Sequence, residues 1–229
     1  MKINGLQKLT LLDFPGRTAC TVFLAGCDFR CPFCHNYELT DSSADVVMES
    51  EELLEFLKGR VGRLDGVAFT GGEPTMRKDL PELLKDVKSL GFETKLDTNG
   101  NNPKALKLLL DQHLVDYVAM DVKNSPQLYP LTAGVEKINI DNITESLELL
   151  KNSGVDYELR TTVVDQLHNE ESFKAIGPWI AGAPRYFLQA FADRETVPFQ
   201  GFSAPPGEKM EEYARIVRPF VADVQLRGI

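Results

Sequence analysis

The stretch TACTVFLAGCDFRCPFCHN, residues 18–36, joins an apolar run to a polar loop that carries three cysteines. Its first part, 18–25, is rich in β-branched and apolar residues, which predicts a buried strand. The glycine at position 26 and the polar residues after it predict that the strand ends there. The stretch is therefore typical of a strand that delivers a chemically active loop, and the same pattern recurs along the chain.

Five more short apolar runs predict strands, at 66–70, 92–97, 116–122, 156–163 and 185–190. Helical patterns lie between them. One stripe is formed by Leu80, Leu83, Leu84, Val87 and Leu90 before Gly91, a second by Ile143, Leu147 and Leu150 before Gly154, and a third helix begins near Ser50. Strands separated by helices usually pair in parallel. About six such units predict an α/β fold, a partial (β/α)6 TIM-like barrel with a mostly parallel sheet.

The 229 residues predict a single domain, 1–229, with a core at about 18–190 and a C-terminal extension at 191–229. Segments 124–140 and 191–208 are irregular. A formal charge of −9 argues against nonspecific binding to nucleic acid or to anionic membranes. No window resembles a signal peptide or a membrane span, so we expect a cytoplasmic protein. In a reducing compartment, clustered cysteines are more often metal ligands or redox groups than disulfides.

Polar clusters follow the first four predicted strands. They are GCDFRCPFCHN, GGEP, DTNG and DVKN, in that order along the chain. Because sites in parallel sheets lie at the carboxyl ends of the strands, these four clusters predict one common site.

The spacing C-x3-C-x2-C of Cys27, Cys31 and Cys34 allows one loop to turn three thiolates toward one centre. Two completions are open: His35 as the fourth ligand of a zinc ion, or three irons of a [4Fe–4S] cluster with a fourth iron free. Structural zinc sites usually use spaced pairs of ligands, which disfavours His35 beside Cys34. Cys20 lies inside an apolar run and is expected to be buried. The other two histidines, His113 and His168, lack partner spacing and are expected to be structural or exposed.

The pattern Cys27, Cys31, Phe33, Cys34 resembles the signature loop of the radical S-adenosylmethionine enzymes. The resemblance implies that the three cysteines hold a [4Fe–4S] cluster whose open iron binds the amino and carboxylate groups of S-adenosylmethionine. It also implies that Phe33 lies near the adenine. By the same resemblance, the GGE segment of Gly71, Gly72 and Glu73 binds the amino group.

Asp97 and Asp121 follow neighbouring strands, where two carboxylates repel unless a cation or a lysine joins them. DTNG and DVK resemble the motifs of glycyl-radical-enzyme activases of the pyruvate formate-lyase type. That resemblance implies a monovalent cation at Asp97, Thr98 and Asp121, and cofactor contacts for Asp97 and Lys123. Arg160 is expected either at the cofactor carboxylate or in a salt bridge. Gln189 stands near the place where those activases have a ribose-contacting histidine.

The segment GLQKLTLLDFPGRTACTVFLAGCDFRCPFCHN resembles the activating proteins of anaerobic ribonucleoside-triphosphate reductases. The resemblance implies an enzyme that reductively cleaves S-adenosylmethionine and installs a glycyl radical on that reductase, with flavodoxin or ferredoxin as electron donor. Segments 124–140 and 191–208 are candidates for docking the reductase. The alternatives are an activase of another glycyl radical enzyme, a small-molecule radical enzyme such as a deazapurine synthase, and a zinc-binding interaction module.

Overall fold

Strands and helices alternate along the computed structural model, which describes residues 1–229. The strands are β1 Lys2–Ile3, β2 Gly5–Thr10, β3 Ala19–Leu24, β4 Met48–Glu49, β5 Gly66–Gly71, β6 Glu93–Thr98, β7 Tyr117–Asp121, β8 Asp156–Val163, β9 Arg185–Ala190 and β10 Asp223–Arg227. The α-helices are α1 Ser50–Lys58, α2 Leu80–Ser89, α3 Pro103–Asp111, α4 Tyr129–Ala133, α5 Ile140–Ser153, α6 Glu170–Trp179 and α7 Gly207–Val217. Short 3-10 turns occupy Tyr37–Thr40 and Pro74–Met76.

Eight strands form one sheet in the order β10-β9-β8-β7-β6-β5-β3-β2. Neighbours from β3 to β10 pair in parallel, whereas β2 runs antiparallel to β3 at the edge. The small strands β1 and β4 form a separate antiparallel pair. The loops that leave the parallel strands therefore all emerge at one edge of the sheet, as the sequence pattern predicts.

The sheet is curved and does not close, since β2 and β10 are its two edges. Residues of the connection after β2 and Arg227 of β10 nevertheless line one chamber, which places the two edges near each other across a gap. The predicted α/β fold with a partial barrel is confirmed.

The six predicted strands are all present, as β3 and β5 to β9. Residues 191–229, predicted as an extension, add α7 and a seventh parallel strand, β10, to the same sheet. Helix α7 packs on α6, where the rings of Tyr213 and Phe173 stack with centroids 4.4 Å apart. Segment 124–140, predicted to be irregular, contains the five-residue helix α4.

The predicted helical stripes face the core. Leu80, Leu83, Leu84 and Val87 of α2 and Ile143, Leu147 and Leu150 of α5 are buried, while Leu90 is half-buried. Gly154 ends α5 in the left-handed conformation, with φ of 73°. None of the helices is long and apolar enough to cross a membrane.

Candidate functional site

The cysteine loop, residues 25–36, leaves β3 at the carboxyl edge of the sheet. Its three thiols are free and line one cavity of ≈ 380 Å³. The same cavity is lined by all the other residues predicted for the site: Phe33, Gly71, Gly72, Glu73, Asp97, Thr98, Asp121, Lys123, Arg160 and Gln189. The structure thus brings together residues from six successive strand ends, from β3 and β5 through β9.

Helix α4 supports the cysteine loop from behind. The buried ring of Phe29 meets Tyr129 edge-on, with centroids 6.3 Å apart. The backbone N–H of Arg30 donates to the carbonyl of Ala133 at 2.8 Å. Gly134 ends the helix with φ of 66°, and a Cβ there would overlap the carbonyl oxygen of Arg30. The glycine therefore lets the helix end touch the loop backbone.

The cavity thiols are protonated in the metal-free chain. Burial raises the pKa of Cys27 to about 12 and that of Cys31 to about 11, and it also raises the pKa of Cys34. The N–H of Phe29 donates to Cys27 Sγ at 3.4 Å and partly opposes this shift. Because metals bind thiolates, loading the loop with metal must release these protons.

The zinc alternative finds no support in the geometry. No three His, Cys, Asp or Glu side chains are placed to hold one metal ion. His35, its proposed fourth ligand, has its Nε2 atom 2.6 Å from the carbonyl oxygen of Ala192, and its ring stacks on Phe191 with centroids 5.6 Å apart. A cluster that takes each thiolate on a different iron does not require the sulfurs to meet at one point.

The turn after β5 packs against the cysteine loop. A Cβ at Gly71 would overlap the backbone oxygen of Leu24, and one at Gly72 would overlap that of Gly26. Gly71 also has φ of 120°, which favours glycine. Both glycines belong to the GGE segment, for which the resemblance implies ligand binding. The structure shows a further reason for them, the close contact with β3 and the loop that follows it.

Glu73 lies beneath the cavity with 1 % of its surface exposed. Its carboxylate accepts hydrogen bonds from the backbone of Thr75 at 3.1 Å and of Asn99 at 2.6 Å, and from the hydroxyl of Thr98 at 2.8 Å. Burial raises its pKa to about 7, although these hydrogen bonds oppose the shift. Glu73 thus joins the turn after β5 to the turn after β6.

A row of alternating charges crosses the site. Arg160 of β8 lies between the two carboxylates, with Nε 2.9 Å from Asp121 and Nη1 3.4 Å from Asp97. Lys123 pairs with Asp121 at 2.9 Å, and Lys95 pairs with Asp97. Three cations and two carboxylates leave this row with one excess positive charge, which is complementary to a carboxylate of a ligand.

The charges in the row hold each other ionised. Burial alone would raise the pKa values of Asp121 and Asp97. The charge of Arg160 outweighs the effect of burial, helped by Lys123 at Asp121 and by Lys95 at Asp97. Both pKa values therefore lie below the usual range. Burial likewise opposes ionisation of Lys123, yet Asp121 raises its pKa. Of the two roles expected for Arg160, the salt bridge is therefore observed. It does not exclude a contact with a ligand, because the side chain of Arg160 also lines the cavity.

The monovalent cation at Asp97, Thr98 and Asp121 stays a prediction. Both carboxylates already have protein cations as partners. The hydroxyl of Thr98 donates to Glu73 and accepts from the backbone of Gly100 at 3.1 Å. A bound cation would therefore have to displace existing partners.

Two contributions to the site were not predicted. Lys95 is 2 % exposed and shares the inner face of β6 with Asp97, two residues on, which is the signal that could have revealed it. Asp13 lines the cavity and accepts a hydrogen bond from the hydroxyl of Thr21 at 2.6 Å. The expectations for the other groups are confirmed, since Cys20 and His168 are buried and His113 is exposed.

The family model of the radical SAM superfamily matches residues 21–176, which contain the cysteine loop and the strand ends through β8. The chain belongs to the radical SAM superfamily. The cofactors of this radical SAM enzyme are a [4Fe–4S] cluster and S-adenosylmethionine. Three free thiols on one loop line a cavity that also holds Lys123, Arg160 and uncharged polar groups, and this donor set fits that pair of cofactors.

Two relatives indicate the family within this superfamily. The chain is 29% identical to a putative glycyl-radical enzyme activating enzyme of Methanocaldococcus jannaschii over 236 residues, covering 99% of this chain and 96% of the relative. It is 31% identical over 173 residues to a pyruvate formate-lyase-activating enzyme of Clostridium pasteurianum, covering 72% and 70% respectively. At the family level this radical SAM enzyme therefore groups with glycyl-radical-enzyme activases.

Two further proteins resemble the chain over less of its length or at lower sequence identity. A 7-carboxy-7-deazaguanine synthase of Thermococcus kodakarensis is 30% identical over 129 residues, covering 48% of this chain and 50% of the synthase. The structure of Streptococcus suis SuiB bound to precursor peptide SuiA matches with a TM-score of 0.71 at 13% identity, covering 91% of this chain and 48% of that one. The latter likeness concerns the fold alone.

Proposed function

We propose that this radical SAM enzyme is an activase that installs a glycyl radical on an anaerobic ribonucleoside-triphosphate reductase. The relatives named as activating enzymes support the reaction type. The choice of this reductase rests on the resemblance of residues 5–36 to the activating proteins of such reductases. The same resemblance gives a flavodoxin or a ferredoxin as the electron donor. The proposed location is the cytoplasm, as expected from a sequence in which no window resembles a signal peptide or a membrane span.

The observation that supports a polypeptide substrate is a second chamber of ≈ 450 Å³ beside the first. Asp13, Asp97, Arg160 and Gln189 line both chambers, so the two spaces adjoin. The second chamber lies between the connection after β2 and Arg227 of β10, the two edges of the open sheet. A chain segment that enters through this gap can reach the cavity of the three cysteines.

The rim of this gap is apolar on one side. Leu11 and Leu12 line the second chamber and are 70% and 91% exposed, respectively. Exposed leucines at the mouth of a cavity are typical of a surface that binds another protein. Inside, the acids Asp97 and Glu158 face Lys95 and Arg227, so the chamber lacks the strong positive excess that a nucleotide needs. Both features favour a neutral backbone segment as the occupant.

The residues have the following proposed roles. Cys27, Cys31 and Cys34 hold the cluster, and Phe33 lies near the adenine. The cluster and S-adenosylmethionine, when bound, supply the 5′-deoxyadenosyl radical that takes a hydrogen atom from the Cα of the target glycine. The buried side chains of Phe29 and Phe33 beside the thiols help to exclude water from this chemistry.

The remaining groups orient the cofactor. The turn of Gly71, Gly72 and Glu73 binds its amino group. Arg160 and Lys123 attract its carboxylate, consistent with the excess positive charge of the row. Asp97 hydrogen-bonds the cofactor, and Asp97, Thr98 and Asp121 are the proposed place of a monovalent cation. Gln189, whose Oε1 is buried without a partner, is available to accept a hydrogen bond from the ribose.

The test is electron paramagnetic resonance of the iron-reconstituted, reduced protein mixed with S-adenosylmethionine and the anaerobic reductase. We expect a glycyl doublet on the reductase that depends on S-adenosylmethionine. The variant Leu12→Glu should retain reductive cleavage of S-adenosylmethionine without the reductase but form glycyl radical about tenfold more slowly, because it places a charge at the docking rim. The matched control is Leu108→Glu on the outer face of α3, where the wild-type side chain is 43% exposed.

Two outcomes would contradict the proposal. Cleavage of S-adenosylmethionine without any glycyl doublet would remove the reductase as substrate and favour another glycyl radical enzyme or a small molecule of the deazapurine type. Equal radical formation by Leu12→Glu and Leu108→Glu would show that the reductase does not enter beside Leu12.

A further inference from the structure

Asp28 connects the cysteine loop to the turn after β6. It lies between Cys27 and Cys31, and its two carboxylate oxygens accept from the side-chain amides of Asn99 and Asn101, each at 2.7 Å. The two asparagines follow the DT pair of DTNG, more than seventy residues further along the chain. Hydrogen bonds to a carboxylate are stronger than those between neutral groups. One side chain thus clamps two loops of the site together.

The two side-chain amides cannot turn away from Asp28 without breaking other hydrogen bonds. Asn99 Oδ1 accepts from the backbone N–H of Asn101 at 2.9 Å. Asn101 Oδ1 accepts from the side-chain amide of Asn142 at 3.3 Å, and its backbone oxygen accepts from the same amide at 3.1 Å. These bonds orient both NH₂ groups toward Asp28. Two donors that face one position select a side chain with two acceptor oxygens, which is a carboxylate.

The clamp continues into the buried network below the site. The backbone N–H of Asn99 donates to Glu73, which also accepts from the hydroxyl of Thr98. The loops after β3, β5 and β6 are therefore joined through Asp28, Asn99 and Glu73. A change at Asp28 therefore reaches the loop of the three cysteines without removing any of the thiols.

Asp28 also lies close to one of the thiols. Its Oδ1 atom is 3.9 Å from the Sγ atom of Cys27. A negative charge at this distance disfavours adding an electron to a group bound at that sulfur, because like charges repel more strongly where water is partly excluded.

We infer that Asp28 is a positioning residue that fixes the cysteine loop on the turn after β6 and lowers the reduction potential of the cluster held there. The inference rests on Cys27, Cys31 and Cys34 as the cluster ligands, but it does not depend on the identity of the substrate. It assigns two separable contributions, a mechanical one through Asn99 and Asn101 and an electrostatic one through the carboxylate charge.

The electrostatic contribution is tested by a potentiometric titration of the reconstituted cluster without S-adenosylmethionine. Electron paramagnetic resonance monitors the reduced cluster during the titration. Asp28→Asn should shift the midpoint potential to a more positive value. The matched control Asp45→Asn removes the same charge from an exposed side chain with no hydrogen bonds and should leave the potential unchanged. Equal potentials for wild type and Asp28→Asn would overturn this contribution.

The mechanical contribution is tested on the cluster-free chain by amide hydrogen exchange of residues 27–34. Asn101→Ala keeps the charge of Asp28 but removes one arm of the clamp. We expect exchange at Arg30 and Cys34 to rise by about tenfold in Asn101→Ala and in Asp28→Asn, the effect of one lost charge-assisted hydrogen bond. The midpoint potential should change little in Asn101→Ala. Unchanged exchange in both variants would overturn the clamp.

A third outcome is distinguishable from these two. If Asp28→Asn changes the midpoint potential and the exchange as expected but the reductase acquires no radical even with the wild-type enzyme, the proposed substrate is wrong and the role of Asp28 stands. If the chain binds no iron even with all three cysteines present, the ligand assignment is wrong and the effect of Asp28 on the reduction potential falls with it.

Discussion

The four cysteines of the chain have two different environments. Cys20 is fully buried within β3, whereas Cys27, Cys31 and Cys34 line the cavity at the end of that strand. We predict that alanine at any of the three cavity positions abolishes cleavage of S-adenosylmethionine. Cys20→Ala should retain it and lose about 1 kcal/mol of stability, since it removes only one buried sulfur.

Iron content per chain and 5′-deoxyadenosine production after anaerobic reconstitution measure both effects. Loss of cleavage in a folded Cys20→Ala chain would contradict the assignment of the ligands. Circular dichroism of each variant serves as the folding control, because a chain that does not fold also binds no iron.

The residues of the charge row show what sequence patterns can and cannot predict at this scale. Asp97, Asp121, Lys123 and Arg160 belong to motifs or strand ends and were predicted, and the structure places them side by side. Lys95 was missed, because a lysine in a strand usually faces solvent and only the shared face with Asp97 places it inside. The partner of each charge depends on strand order, which no local pattern contains.

At the scale of elements, two helix ends with the same backbone conformation differ in surroundings. Gly134 ends α4 and Gly154 ends α5, with φ of 66° and 73°. A Cβ at position 154 meets nothing within 4 Å, whereas one at 134 would overlap the Arg30 carbonyl. Both Gly→Ala changes incur the left-handed strain of about 1 kcal/mol. Only Gly134→Ala should also push α4 away from the cysteine loop.

Urea unfolding and iron content separate these effects. We expect Gly134→Ala to lose about 2 kcal/mol more stability than Gly154→Ala, in the range of overpacking costs, and to bind less iron after reconstitution. Similar losses in the two variants would mean that the end of α4 does not support the loop.

Three elements that were not predicted, α4, β2 and β10, depend on their neighbours for their conformation. Helix α4 has only five residues and includes a proline, so its tertiary contact with the loop stabilises it more than its own propensity does. Strands β2 and β10 are edge strands with mostly exposed or half-exposed residues, and they lack the apolar run that identified the six inner strands. An edge strand of this kind is specified by its neighbour, β3 or β9, and not by its own pattern.

At the scale of the whole molecule, charged side chains of several strands lie buried inside the open sheet, where an apolar core would otherwise be expected. Glu158 is 2% exposed, accepts from the hydroxyl of Tyr117 at 2.8 Å and pairs with Arg227 of the last strand at 3.3 Å. Arg160 joins Asp97 and Asp121 above it. Such pairs hold the strands at one spacing only while both partners are charged, so the stability of the fold depends on pH.

The sign of this dependence follows from the carboxylates. The pKa values of Asp97 and Asp121 in the folded chain lie below the unfolded value of 3.8, chiefly because Arg160 outweighs the effect of burial. At these two carboxylates the folded state therefore binds fewer protons than the unfolded state. The stabilisation is complete above the unfolded pKa and is lost as the pH falls below it toward the folded pKa values.

Arg160→Gln should weaken this dependence, because without the guanidinium the pKa values of the two carboxylates are depressed only by Lys95 and Lys123 and lie closer to the unfolded value. We expect the loss of unfolding free energy between pH 6 and pH 3 to be smaller than in wild type by at least about 1 kcal/mol, although the variant is less stable at pH 6. Urea titrations of the cluster-free chain at both pH values measure it. Arg215→Gln on the exposed face of α7 is the control, and it should match the wild-type dependence. If Arg160→Gln also matched it, Arg160 would not be the group that keeps Asp97 and Asp121 ionised, and the charge row would not stabilise the open sheet.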